Sequence, residues 1–196
     1  LGLYYGTQLG DSSYSSFFSS FYRFFRPSLN VIPHLVRGVI AQPDTLRIDI
    51  AHTDFQRLAH SVSNAKTRGY ITPEDKSVEV NATVDHLGAK YKINLKLRGT
   101  LLDHVKADKW SFRVSVRNDG TLFGMRRFSL SSPETRAHIH EWIYQKHLSF
   151  EGLVNLRYQF VDVVLNGKNL GIYALEEFFD KRLLENNNMR EGIMVK

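Results

Sequence analysis

Apolar and polar residues alternate over several stretches of this chain, and each such stretch predicts a strand with one buried face. The period-two runs are 44–50, 78–84, 90–98 and 110–117, with a short pair at 122–124 and 128–130. Two more, 158–165 and 169–175, flank Asn166-Gly167, and Asn-Gly between alternating runs predicts a tight hairpin. Helical spacing appears in three other places. Residues 53–68 start at a capping Thr53 and stop at Gly69. Residues 133–149 follow Ser132-Pro133-Glu134 and carry Ile139, Trp142, Ile143 and Leu148 mostly on one face. Residues 178–187 carry Phe178, Phe179, Leu183 and Leu184, while 72–75 read as a turn. Together the elements predict an α+β fold, a twisted antiparallel sheet with one long helix crossing it.

Upstream, Tyr14, Phe17, Phe18, Phe21, Phe24 and Phe25 recur at helical spacing among serines and arginines, and Pro27 and Pro33 close the segment. Two readings stay open for residues 14–26: an anchor lying in a membrane interface, or a helix docked on the main domain. The expected division is therefore an aromatic, juxtamembrane-like segment and linker over 1–43, then one α+β domain over 44–196. The chain starts on Leu1 and ends on an apolar stretch, 192–195, that reads as an unfinished strand. No run approaches the roughly 18 apolar residues of a spanning helix.

An excess of 26 Lys and Arg over 20 Asp and Glu, a net +6, favours anionic partners without choosing among them. With no cysteine there is no disulfide, thiolate metal site or cysteine nucleophile, so packing carries stability. His138 and His140 diverge on a helix and no His-Glu-x-x-His occurs, which argues against a histidine metal site. Ser129, Ser131 and Ser132 lack a Gly-x-Ser-x-Gly elbow, which removes the main warrant for a serine hydrolase. Asn81-Ala82-Thr83 is a glycosylation sequon, meaningful only in a host that glycosylates secreted proteins.

Four stretches go further: Leu95-Lys96-Leu97-Arg98-Gly99; Asp108-Lys109-Trp110-Ser111-Phe112-Arg113-Val114; Leu122-Phe123-Gly124 through Phe128-Ser129-Leu130; and Leu165-Asn166-Gly167 through Leu175-Glu176-Glu177. In content and order, with Glu141-Trp142-Ile143-Tyr144 between the last two, they resemble the CotH (spore-coat-protein-H-like) kinase family over roughly 90–196. Residues 44–70 look like the lead-in of larger envelope proteins that carry this domain. The resemblance implies a kinase-like small lobe, ATP and Mg2+ as cofactors, and transfer of the terminal phosphoryl group to hydroxyls of a protein substrate. It also implies a cell-envelope or secreted protein; the interfacial reading of residues 14–26 adds a membrane surface as a further partner.

Phosphoryl transfer requires cations around the phosphates, an acid that fixes the key cation, carboxylates on magnesium and a positioned nucleophile. The resemblance places Arg98, Lys109, Arg113 and Arg127 as the cations and Glu141 as the acid, with Arg113 its expected partner. Glu176 stands where the chain would meet an adenine edge. The family's magnesium-binding and catalytic aspartates fall beyond residue 196, so no catalytic or metal residue is assigned and this chain alone is expected to transfer nothing. Asp180 reads as a structural helix-start residue, and no Gly-x-Gly-x-x-Gly flap is present. Two rivals stay open: a non-catalytic envelope scaffold, and a basic module that stacks single-stranded nucleic acid on Tyr91, Trp110 and Phe112. Nucleic acid ranks below ATP as a partner.

Overall fold

Seven strands close on themselves in the computed structural model, which describes residues 42–190 and 192. They are β1 (Thr45–Ile50), β2 (Glu79–His86), β3 (Ala89–Leu97), β4 (Phe112–Val116), β5 (Arg127–Ser131), β6 (Tyr158–Leu165) and β7 (Lys168–Glu177). Around the barrel the order is β1-β2-β3-β4-β5-β7-β6, every neighbour antiparallel except the seam, where β1 pairs parallel to β6 with Thr45 opposite Asp162 and Ile48 opposite Leu165. Four α-helices accompany them among the described residues: α1 (His52–Arg68), α2 (Pro73–Ser77), α3 (His140–Phe150) and α4 (Lys181–Asn186). The aromatic segment over 14–26, its proline linker and all but Gly192 of the expected strand at 192–195 lie outside the described residues.

This overturns the expected open, kinase-like antiparallel sheet with a crossing helix. Period two correctly marks which residues face inward: Leu46, Ile48, Val84, Ile93, Leu95, Val114, Leu130, Val163 and Leu175 all sit in one core cluster. It carries no information on which strand sits beside which. The lead-in strand β1 is the closing stave, held between β2 and β6. With the apolar face filled from inside, the outer face is left polar and offers a crossing helix little to pack on.

The expected helix over 133–149 is accordingly interrupted. Pro133–Arg136 is a single 3-10 turn, Ala137 and His138 take positive φ of 48° and 62°, and α3 begins only at His140. Most of its apolar residues stay exposed: Trp142 is 37% exposed, Ile143 49% and Phe150 86%. The one buried residue of α3 is Gln145, whose Oε1 accepts the Leu156 N–H at 2.7 Å. A polar pin, not an apolar stripe, holds this helix.

Smaller departures have local causes. Helix α1 starts one residue before Thr53 and has no side-chain cap. Leu122 forms only an isolated bridge to Met125, so the first half of the expected strand pair at 122–130 is a turn. The Asn166-Gly167 hairpin forms as expected, both residues at positive φ (48° and 80°), and the Asn166 side chain accepts the Ile50 N–H at 2.7 Å across the seam. One end of the barrel is covered by α1, whose Leu58, Val62 and Ala65 join the core while Phe55 stacks on Trp110 at 5.5 Å.

The turn expected at 72–75 is the capping box that starts α2: Thr72 accepts from the Asp75 N–H, and the Asp75 carboxylate accepts from the Thr72 N–H and hydroxyl and from Arg68. Burial pushes the Asp75 carboxyl up, but these donors outweigh it and hold its pKa below the ordinary 3.8. A depressed folded-state pKa stabilises above the ordinary value, and the benefit disappears as pH falls through the folded one. Asp75→Asn is expected to cost about 1–2 kcal/mol at pH 7. In urea titrations at several pH values, the difference from the unsubstituted protein should shrink below pH 4.

Candidate functional site

Antiparallel register sets one row of side chains across the outer face of the barrel: Glu79 opposite Lys96, Lys96 opposite Arg113, Arg113 opposite Ser129, Ser129 opposite Glu176, and Glu176 opposite Tyr158. Directly opposed residues share a face. Inward neighbours such as Leu95, Val114 and Leu175 fix that orientation. The row is therefore a by-product of core packing, with charge at the positions the core does not use.

Arg98 leaves the end of β3 and binds two members of this face, donating to Ser131 Oγ at 2.8 Å and to Glu176 Oε2 at 2.9 Å. Arg98 and Glu176 are 14% and 15% exposed, so water screens this pair little. Arg127 donates through Nε to Asp180 at 3.3 Å and stacks on Phe178 at 4.6 Å. Arg113 lies over the same ring at 4.9 Å, and among the described residues no carboxylate is within ion-pairing distance of it. Burial lowers the Arg113 pKa most, and the positive charges of Arg98 and Arg127 lower it further. A guanidinium nevertheless stays charged.

The segment leaving β7 fixes all of these cations. Glu176 holds Arg98, Glu177 holds Arg157, Phe178 carries Arg113 and Arg127, and Asp180 binds Arg127 while capping α4 through the Arg182 N–H. Within five residues, four arginines are placed. Phe178 and Phe179 had read as apolar positions of the last helix, yet α4 begins only at Lys181.

Of the sequence-derived residues, Arg98, Arg113, Arg127 and Glu176 come together. Lys109 does not, because its ammonium lies 5.1 Å from the ring of Tyr173, an inward-pointing core residue. Glu141 sits in the first turn of α3 and accepts from Gln145 Nε2 at 2.9 Å, forming no pair with Arg113. The acid that fixes a cation is Glu176. Glu141 acts on the face indirectly: burial first, then Glu176 and Glu141, raise the Tyr158 pKa to about 12. That buried hydroxyl has no hydrogen-bond partner among the described residues.

A cavity of about 410 Å³, lined by Lys96, Arg98, His104, Arg113 and Arg136, opens at one end of the row. His104 is held there by Ser111, with Nδ1 and Oγ 3.0 Å apart, and burial lowers its pKa so that the ring is neutral at pH 7. A second cavity of about 190 Å³ shares Lys96 and Arg113 with the first and adds Arg127 and Phe178. Sequence reasoning missed Lys96, Arg136 and Phe178. Lys96 was legible in principle, since it alternates with Leu95 and Leu97 on a strand one register step from Arg113. The aromatics of the nucleic-acid reading are turned the other way: Trp110 is 8% exposed and Phe112 1%, both in the core.

The fold and this face define a closed β-barrel domain with a clustered guanidinium surface. Compared with known protein families and with curated proteins, the chain matches none.

Proposed function

We propose that the outer face of β3, β4, β5 and β7 holds the phosphates of a nucleotide, with Arg98, Arg113 and Arg127 as the gripping cations. The CotH resemblance makes that nucleotide ATP and the chain the nucleotide-holding part of a protein that moves its terminal phosphoryl group to protein hydroxyls. The observation that carries this reading is Arg113: partly desolvated, flanked by two other guanidiniums, stacked on Phe178 and, among the described residues, facing no carboxylate. Clustered like charges disfavour the folded state unless an anion joins them, and phosphate oxygens match the planar guanidinium fork. Glu176 keeps Arg98 in place without neutralising Arg113.

In this reading the arginines orient the phosphate chain and stabilise charge on its equatorial oxygens as the bond to the leaving oxygen loosens. Magnesium, when bound with the nucleotide, supplies further neutralisation of the phosphates. Among the described residues no three of His, Asp or Glu converge, so no metal ligand is assigned to this face.

Calorimetric titration with magnesium-ATP and with inorganic tripolyphosphate tests the assignment. Both are expected to bind, and Arg113→Gln is expected to weaken both at least tenfold while leaving the thermal midpoint in place. Equal affinity of the variant and the unsubstituted protein would remove this face from nucleotide binding.

A further inference from the structure

The guanidinium row does not end at Arg127. The cavity beneath it shares Asn94, Ser115 and Arg127 with a larger one of about 750 Å³, which runs on between β4 and the start of α4. Its charge is lopsided. Arg117, Arg126, Arg127 and Arg182 line it against two acids, Asp180 and Glu185. Asp180 is already engaged, by Arg127 and by the α4 backbone. Among the described residues Arg126 pairs with Asp119 alone, which is 83% exposed, so that pair neutralises little. Arg117 donates to the neutral Asn81 amide at 3.2 Å, and the Arg182 guanidinium has no carboxylate partner among the described residues.

This arm is larger than either cavity that holds the arginine row, and it adjoins the smaller of them through Asn94, Ser115 and Arg127. Of the three arginines that grip the nucleotide, only Arg127 lines this arm, so the rest of it stays open to a second ligand. Besides the arginines, the two acids, Lys181 and Val116, its walls carry the amides of Asn94 and Asn118 and the hydroxyl of Ser115. Among the described residues no aromatic ring lines it, which denies nucleic-acid bases a stacking platform. Side-chain carboxylates along an extended chain suit such a surface, since each pairs with a guanidinium while its backbone meets amide and hydroxyl groups.

We infer that this groove docks an acidic segment of the protein substrate and so delivers a neighbouring hydroxyl towards the arginine row. The inference rests on the nucleotide reading for its role in catalysis, but the groove's preference for acidic peptide stands on charge alone.

The test is fluorescence anisotropy of the protein with a labelled decaglutamate peptide, a decalysine peptide and a ten-nucleotide oligothymidylate, each with and without magnesium-ATP. Decaglutamate is expected to bind, decalysine not to bind, and the double variant Arg117→Glu/Arg182→Glu to weaken decaglutamate at least tenfold. Both side chains lie outside the nucleotide grip, so magnesium-ATP affinity should change less than twofold in that variant. Decaglutamate binding that the double variant leaves intact, or tighter binding of oligothymidylate than of decaglutamate, overturns the inference. Peptide binding that responds to the double variant in a protein that binds no ATP upholds the groove and sinks the nucleotide reading by itself.

Discussion

Glu177→Ala is expected to lower folding stability by about 3 kcal/mol, near the lower end for breaking a buried ion pair. Glu177 is 1% exposed and holds Arg157 through both carboxylate oxygens, accepting in addition the Arg157 backbone N–H at 3.0 Å. Removing it strands a guanidinium and an amide at once. The lower end applies because the Arg157 side chain is 27% exposed and recovers some hydration. In urea the midpoint should fall by about 1–2 M with an unchanged slope. A shift under a few tenths of a molar would mean the pair contributes nothing.

Gly99→Ala carries the second large effect, and it acts on the site as well as the fold. Gly99 has a φ of +102°, and an added Cβ would lie 2.0 Å from a carbon of the His104 ring. Backbone strain and overpacking together are expected to cost about 3 kcal/mol. The ring cannot simply rotate away, since Ser111 holds it from the side chain and donates its N–H to the His104 carbonyl at 2.7 Å. Arg98 also donates its own N–H to the Ser111 carbonyl at 2.9 Å, so displacing this loop displaces the grip on Glu176 and weakens magnesium-ATP binding. The double variant Gly99→Ala/His104→Ala removes the ring and keeps both the strain and a 2.6 Å contact with the Cβ of residue 104. It should regain about half of the lost stability; no recovery would show that the ring is not the obstacle.

How far the sequence could be read follows from the range of the interactions involved. Inward and outward positions are set by residues two apart, so Arg98 and Arg113 are legible at a strand end and on a strand, whereas Glu176, expected just past the strand at 169–175, lies within β7. Pairing partners are set by residues far apart, and nothing near 44–50 signals that β1 lies beside β6. The helix at 133–149 was over-read because its apolar residues were assumed to seek a sheet, whereas a closed barrel offers them only a polar exterior. Glu141 was placed as the cation's acid by resemblance and Lys109 as a cation by its position beside a strand. Neither signal says where a side chain points, and both residues face elsewhere. Phe178 was hidden because an aromatic beside a helix start looks the same whether it packs in a core or carries two guanidiniums.

The parallel seam has a consequence for how this protein comes to exist. Ile50 and Asn166, which meet across it, are 116 residues apart, so ring closure restricts the chain more than any hairpin does. Until that step is complete, β1 and β6 each present a row of unpaired amides and carbonyls that another copy can zip onto. The finished barrel has no free rim for strand addition; the nascent one has two.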